Sequence, residues 1–152
     1  MATINPEASK PIIKVDKIQS TLKEELLGFF MDPNLEIGGF LGSKDGEVVE
    51  LCLDQKGIKE NRSYFPSITY LNTVDRGWKK KGISFLGFFH SHINGFDRLS
   101  TSDKAFFLDF LSQNKDVPYM ICPLLYERNK EKIISWFYIG RDRIEEITLN
   151  EY

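Results

Sequence analysis

The chain has 152 residues, the usual size of one domain and enough to bury a hydrophobic core without disulfides or metals as staples. Its 20 basic and 22 acidic side chains leave a formal charge of -2, which argues against the net basic face of a nucleic-acid binder. Cys52 and Cys122 are the only cysteines and show no CxxC spacing, so neither a disulfide framework nor a zinc ribbon is readable, and both read as small core residues.

Residues 1–10 form a polar lead, and 11–152 are expected to make a single domain. The start, MATINPEASKPIIKV, has no apolar h-region and no later run is long enough to cross a bilayer, so a soluble, cytoplasmic protein without a membrane partner is expected. PIIKVDK reads as a first strand carrying Ile12, Ile13 and Val15. STLKEELLGFF reads as a helix with Ser20 as N-cap, helical spacing of Leu22, Leu26, Leu27 and Phe30, and Pro33 just beyond its end. EIGGFLG and EVVELCL flank the Asp45-Gly46 pair of a tight turn and predict a hairpin. NRSYFPS reads as loop, and TYLNTVDRGWKKKG as a helix ending near Gly82. ISFLGFFH is apolar on both faces, with Ile83, Phe85 and Phe89 expected on one side and Leu86 and Phe88 on the other, as in a covered central strand. A helix follows over 101–114, then two strands, VPYMICPLLY and KIISWFYI, around the turn-like ERNKE, and RIEEITL as an edge strand. This order predicts an α/β fold with a mixed, curved sheet and helices on both sides.

The only two histidines, His90 and His92, stand two apart at the end of the central strand, so their side chains share a face. A His-x-His alone is often a polar strand end. Its neighbours add a third candidate ligand: Asp103, in the first turn of the next helix, sits where its carboxylate can turn back toward the imidazoles. Two nitrogens and one oxygen leave a coordination position open, the arrangement of a catalytic rather than a structural zinc. Ser100-x-x-Asp103 also imitates a capping box, and the two roles are compatible. Glu36 adjoins an apolar, glycine-rich run, where a buried charge needs a partner. It is either the base of a metal-activated hydrolysis or a solvated helix-to-strand junction, and composition leaves both open. The lysines of WKKKG, at 78–82, fit a solvated helix end better than a contact with an acidic partner. The Phe106 to Phe110 stripe reads as core.

Other His-x-His architectures fit poorly. A metallo-β-lactamase pattern needs Asp and His where Asn94 and Gly95 stand, a cupin would be all β, and an amidohydrolase barrel needs a far longer chain. Taken together, Glu36, His90-Ser91-His92, seven residues, Ser100, two residues and Asp103 resemble the signature of the JAMM zinc metalloproteases, the catalytic branch of the MPN/JAB domain family. EIGGFLG is similar to that family's Glu-x-Gly-Gly-x-Leu stretch, and the resemblance spans about Ile12 to Ile139, with the look of a compact prokaryotic-type member.

The resemblance implies a cytidine-deaminase-like MPN/JAB sandwich. It implies one Zn2+ per chain held by His90, His92 and Asp103, Glu36 as general acid/base, and Ser100 as a donor to the oxyanion. It further implies cleavage of a peptide or isopeptide bond after the C-terminal tail of ubiquitin or a ubiquitin-like protein, as deconjugation or precursor processing. Where the family usually has proline after the second histidine this chain has Ile93, which bears on the loop Ile93 to Leu99, the suspected substrate-binding segment. Two alternatives stand beside this reading: a non-catalytic MPN-type binding module, and a hydrolase releasing an amino acid from a sulfur-carrier-like tail.

Overall fold

The computed structural model describes residues 13–60 and 63–152, so the polar lead and Ile12 lie outside the described residues. In chain order the elements are β1 (Lys17–Ile18), α1 (Ser20–Phe29), β2 (Gly38–Lys44), β3 (Glu47–Leu53), β4 (Ile58–Glu60), β5 (Ser63–Phe65), α2 (Ile68–Lys79), β6 (Ser84–Ser91), α3 (Thr101–Gln113), β7 (Met120–Arg128), β8 (Glu131–Ile139), β9 (Ile144–Ile147) and β10 (Asn150–Glu151). Eight strands form one sheet in the order β10-β1-β3-β2-β6-β7-β8-β9, and β4 with β5 makes a separate hairpin. The sheet is mixed: β1 is parallel to both its neighbours, β6 is parallel to β7, and the other pairs are antiparallel.

Period-two alternation sends each strand's side chains to two cores. On one face Phe40, Phe88, Met120, Cys122, Leu124 and Phe137 meet Leu71 and Trp78 of α2 and Phe107 and Leu111 of α3. On the other, Leu41, Val48, Phe89, Ile121 and Leu125 meet Leu26 of α1 and Phe30 just after it. Burial of each such Phe or Leu stabilises the fold by about 1.5–3 kcal/mol, which is what holds helices of this length in place. The turn at Asp45-Gly46 has both residues at positive φ, 53° and 80°, as a primed hairpin turn requires. Trp78 is core and Lys79, Lys80 and Lys81 are exposed, so WKKKG is a solvated helix end.

The structure departs from the sequence reading in four places. The first strand is only Lys17–Ile18. Val15 is buried without being in a strand, and Asp16 pairs its backbone with Gly46 and Asn150. The α1 N-cap is Gln19, which makes no side-chain cap bond; Ser20 is the first helical residue, its N–H given to the Tyr152 carbonyl. NRSYFPS is not plain loop but carries β5, with Asn61 and Arg62 outside the described residues. Finally, the β2–β6 register steps from Leu41↔Gly87 to Gly42↔Phe85, a bulge at Leu86 that breaks strict alternation. Phe85 therefore shares a face with Phe88, their rings edge-on at 5.3 Å, rather than with Phe89. Past the bulge the even-numbered residues face α3, and His90 and His92 go with them.

Candidate metal centre

His90 is paired in β6 with Gly38 of β2 and Leu124 of β7. His92 lies just past the strand end, and its N–H continues the pairing to the Leu125 carbonyl at 2.9 Å. Between them Ser91 points the other way, as period two demands: it is fully buried, and its hydroxyl accepts the Ile37 N–H at 2.8 Å. With Ser91 N–H bonded to the Ile37 carbonyl at 2.9 Å, the antiparallel register runs on beyond β2, which sets Glu36 opposite His92.

The third ligand candidate arrives from the start of α3. Ser100 caps the helix: its hydroxyl accepts the Asp103 N–H at 3.0 Å, and Asp103 Oδ2 accepts the Ser100 N–H at 2.9 Å. This capping box fixes the carboxylate. The same Oδ2 lies 3.1 Å from His90 Nε2 and 2.9 Å from His92 Nε2, and the two Nε2 atoms are 3.1 Å apart. Capping and convergence on the histidines thus coexist in one side chain. The Phe107 ring backs His90 edge-on at 6.0 Å, while His92 Nδ1 faces the Phe96 carbonyl at 3.3 Å.

Three polar atoms this close need either ring N–H hydrogens or a cation among them, and which ring nitrogen carries a hydrogen is set by the tautomer. Zinc with bonds of about 2.0–2.1 Å holds tetrahedral ligand atoms roughly 3.3 Å apart, so a small inward triangle of the observed size fits such an ion with slight expansion. His90, His92 and Asp103 are a group able to hold a metal, and their side chains are only 13%, 8% and 19% exposed. Burial by itself would raise the Asp103 pKa; hydrogen bonds from His90 and His92, the charge at His90 and the Ser100 N–H outweigh it and hold the carboxyl well below its usual range.

These residues open on a cleft of about 370 Å³, lined on one side by Ser63, Tyr64 and Phe65 and on the other by Ile93 and Phe96, with Glu36, His92, Ser100 and Asp103 between them. The structure thus brings Glu36 and Ser100 into the same cleft as two of the three ligand candidates. Glu36 is half-buried, and its Oε1 accepts the Tyr64 N–H at 3.3 Å.

Sequence reasoning missed the support beneath this cleft. Asp54, 2% exposed, accepts from Tyr64 OH at 2.7 Å, Ser67 N–H at 2.8 Å and Lys56 N–H at 3.0 Å. The Tyr64 ring lies on Gly38, where an added Cβ would meet it at 2.1 Å, so the glycine opposite His90 is what lets the hairpin approach. Burial, and then Asp54, raise the Tyr64 pKa, keeping the phenol a donor. The Asx turn at Asp54 was the only local signal.

No family model matches the chain, and no curated protein matches it. Among solved structures, protein DSY2949 from Desulfitobacterium hafniense superposes with a TM-score of 0.65 at 20% identity, covering 90% of this chain and 92% of that one. A JAB1/MPN domain protein from Archaeoglobus fulgidus, AF2198, superposes with a TM-score of 0.51 at 20% identity, covering 91% and 98%. With its mixed curved sheet clad by α1 on one face and α2 and α3 on the other, the chain has the MPN/JAB fold.

Proposed function

We propose that the protein is a zinc-dependent peptidase or isopeptidase that cuts after the C-terminal tail of a ubiquitin-like protein. The observation that carries this reading is the convergence of His90 Nε2, His92 Nε2 and Asp103 Oδ2 within 3.1 Å of one another, in a cleft that also holds Glu36 and Ser100. A binding module has little physical reason to keep an open three-ligand site beside a carboxylate.

When bound, zinc would supply the Lewis acidity that lowers the pKa of a water and polarises a carbonyl. His90, His92 and Asp103 would hold the ion, and two charge-neutral imidazoles with one carboxylate would leave it a net positive charge. Glu36 takes the proton of the attacking water and passes it to the leaving amine, its carboxylate steadied by the Tyr64 N–H on Oε1. The Ser100 hydroxyl accepts the Asp103 N–H with its oxygen, so its own hydrogen is left to donate to the oxyanion.

A slim, extended tail suits a cleft walled by the β4–β5 hairpin and the Ile93 to Leu99 loop, since such a segment can pair through its backbone. The exposed rings of Phe65 and Phe96 give both rims apolar surface. The test is mass spectrometry of ubiquitin-like precursors and conjugates incubated with the zinc-loaded protein. Cleavage directly after the tail, abolished by a chelator, is expected; tails left intact in every case would overturn the reading, and release of single amino acids alone would redirect it to small-adduct removal.

A further inference from the structure

The loop Ile93 to Leu99 is built around an Asn94-Gly95 turn in which both residues are left-handed, with φ of 59° and 68°. The turn closes with Phe96 N–H on the Ile93 carbonyl at 3.3 Å, and it packs so tightly on the end of β7 that a Cβ on Gly95 would stand 3.0 Å from the Glu127 carbonyl. What the turn delivers is Phe96: its carbonyl faces His92 Nδ1 at 3.3 Å, and its ring lies against the imidazole at 5.2 Å and 31°. One residue on, Asp97 is ion-paired with Arg128 at the far end of β7.

We propose that this loop is a latch for His92, with Asn94, Gly95 and the Asp97–Arg128 pair as positioning residues that press the Phe96 carbonyl on Nδ1 and so aim Nε2 at the metal. The inference rests on the metal-centre reading above. A ligating histidine ordinarily donates its second ring N–H to a carbonyl or carboxylate, which fixes both tautomer and ring orientation, and loss of that partner typically weakens metal binding about 10–100-fold. The latch also accounts for Ile93: a proline would fix one backbone angle after the histidine, whereas here the two following left-handed residues fix the path. Because the ion pair is exposed, its share is the smaller one.

Zinc affinity measured by competition with a chromophoric chelator tests this on the full chain, alongside thermal unfolding. Gly46→Ala is the matched control, since Gly46 has φ 80° and an added Cβ there also stands 3.0 Å from a backbone carbonyl, that of Lys14, away from the histidines. Gly95→Ala and Gly46→Ala should lose comparable thermal stability, but only Gly95→Ala should lose zinc affinity, by roughly 10-fold. Wild-type affinity in a folded Gly95→Ala would overturn the latch while leaving the metal centre standing. If Gly95→Ala does not fold, Arg128→Ala decides, with weaker zinc binding at unchanged unfolding temperature expected and unchanged binding overturning the proposal. A wild-type chain that takes up no zinc overturns the metal centre, and the latch with it.

Discussion

Asp103 does two jobs with one oxygen, and substitutions can pull them apart. Asp103→Asn keeps an acceptor for the Ser100 N–H and should leave α3 capped while weakening zinc binding; Asp103→Ala should lose the metal and about 1 kcal/mol of stability as well, read from urea unfolding of the metal-free chains. The sign of the acid dependence follows from the depressed pKa. A carboxylate whose folded pKa is lowered stabilises the fold fully above its unfolded value and loses that contribution as pH falls toward the folded value. The metal-free wild type should therefore lose stability below about pH 4, more steeply than Asp103→Asn. At Glu36 the expectation differs: Glu36→Gln removes the proton carrier but no ligand, so zinc should stay bound while turnover of a cleavable fusion falls at least 100-fold. Turnover like that of the wild type would remove Glu36 from the mechanism. The His90, His92 and Asp103 cluster was legible because its parts are short-range: His-x-His is a strand pattern and Ser-x-x-Asp a helix start, each fixed by local geometry. The Phe96 carbonyl was not, because a backbone acceptor leaves no mark in residue identity.

At the level of elements the β4–β5 hairpin is the least legible and the most consequential piece. Its strands are three residues each, too short for periodicity, and what holds them is tertiary: the Tyr64 ring on Gly38 and its hydroxyl on buried Asp54. Tyr64→Phe keeps the ring but takes a donor from a buried carboxylate, which should cost about 1.5–3 kcal/mol in chemical unfolding and speed amide exchange over β5. Since Tyr64 N–H also holds Glu36 Oε1, the same variant should disturb Glu36 without touching a ligand. Zinc affinity is expected to stay unchanged. The bulge at Leu86 is the other element the sequence concealed. Alternation through ISFLGFFH is broken at one residue, and only the register against β2 shows where. The hairpin at Asp45-Gly46, helix α3 and the β7–β8 pair were readable, because turn chemistry or apolar spacing marks them; α2, at Ile68–Lys79, showed less plainly in its sequence.

Across the whole molecule, the two faces of the sheet divide the work. The face under α1 is purely core, whereas the face under α2 and α3 is core up to Phe88 and becomes the site at its end, where β2, β6 and the start of α3 meet. The order of elements sufficed to predict a mixed sheet clad on both sides, because each helix needs an apolar face to cover. Which helix covers which face is a matter of long-range packing, invisible to local pattern. Neither cysteine lines the cleft. Cys122 is fully buried and its thiol is pushed up to about 12 by burial, so it should resist thiol reagents at neutral pH until the chain unfolds. Among the described residues no helix is long and apolar enough to cross a membrane. Everything proposed of the chemistry turns on the ion the trio would hold. The decisive measurement is the metal content of the purified wild type and of Asp103→Ala by elemental mass spectrometry: about one zinc per chain in the first and little in the second is the predicted result, and no metal in either under zinc-replete conditions would contradict the account.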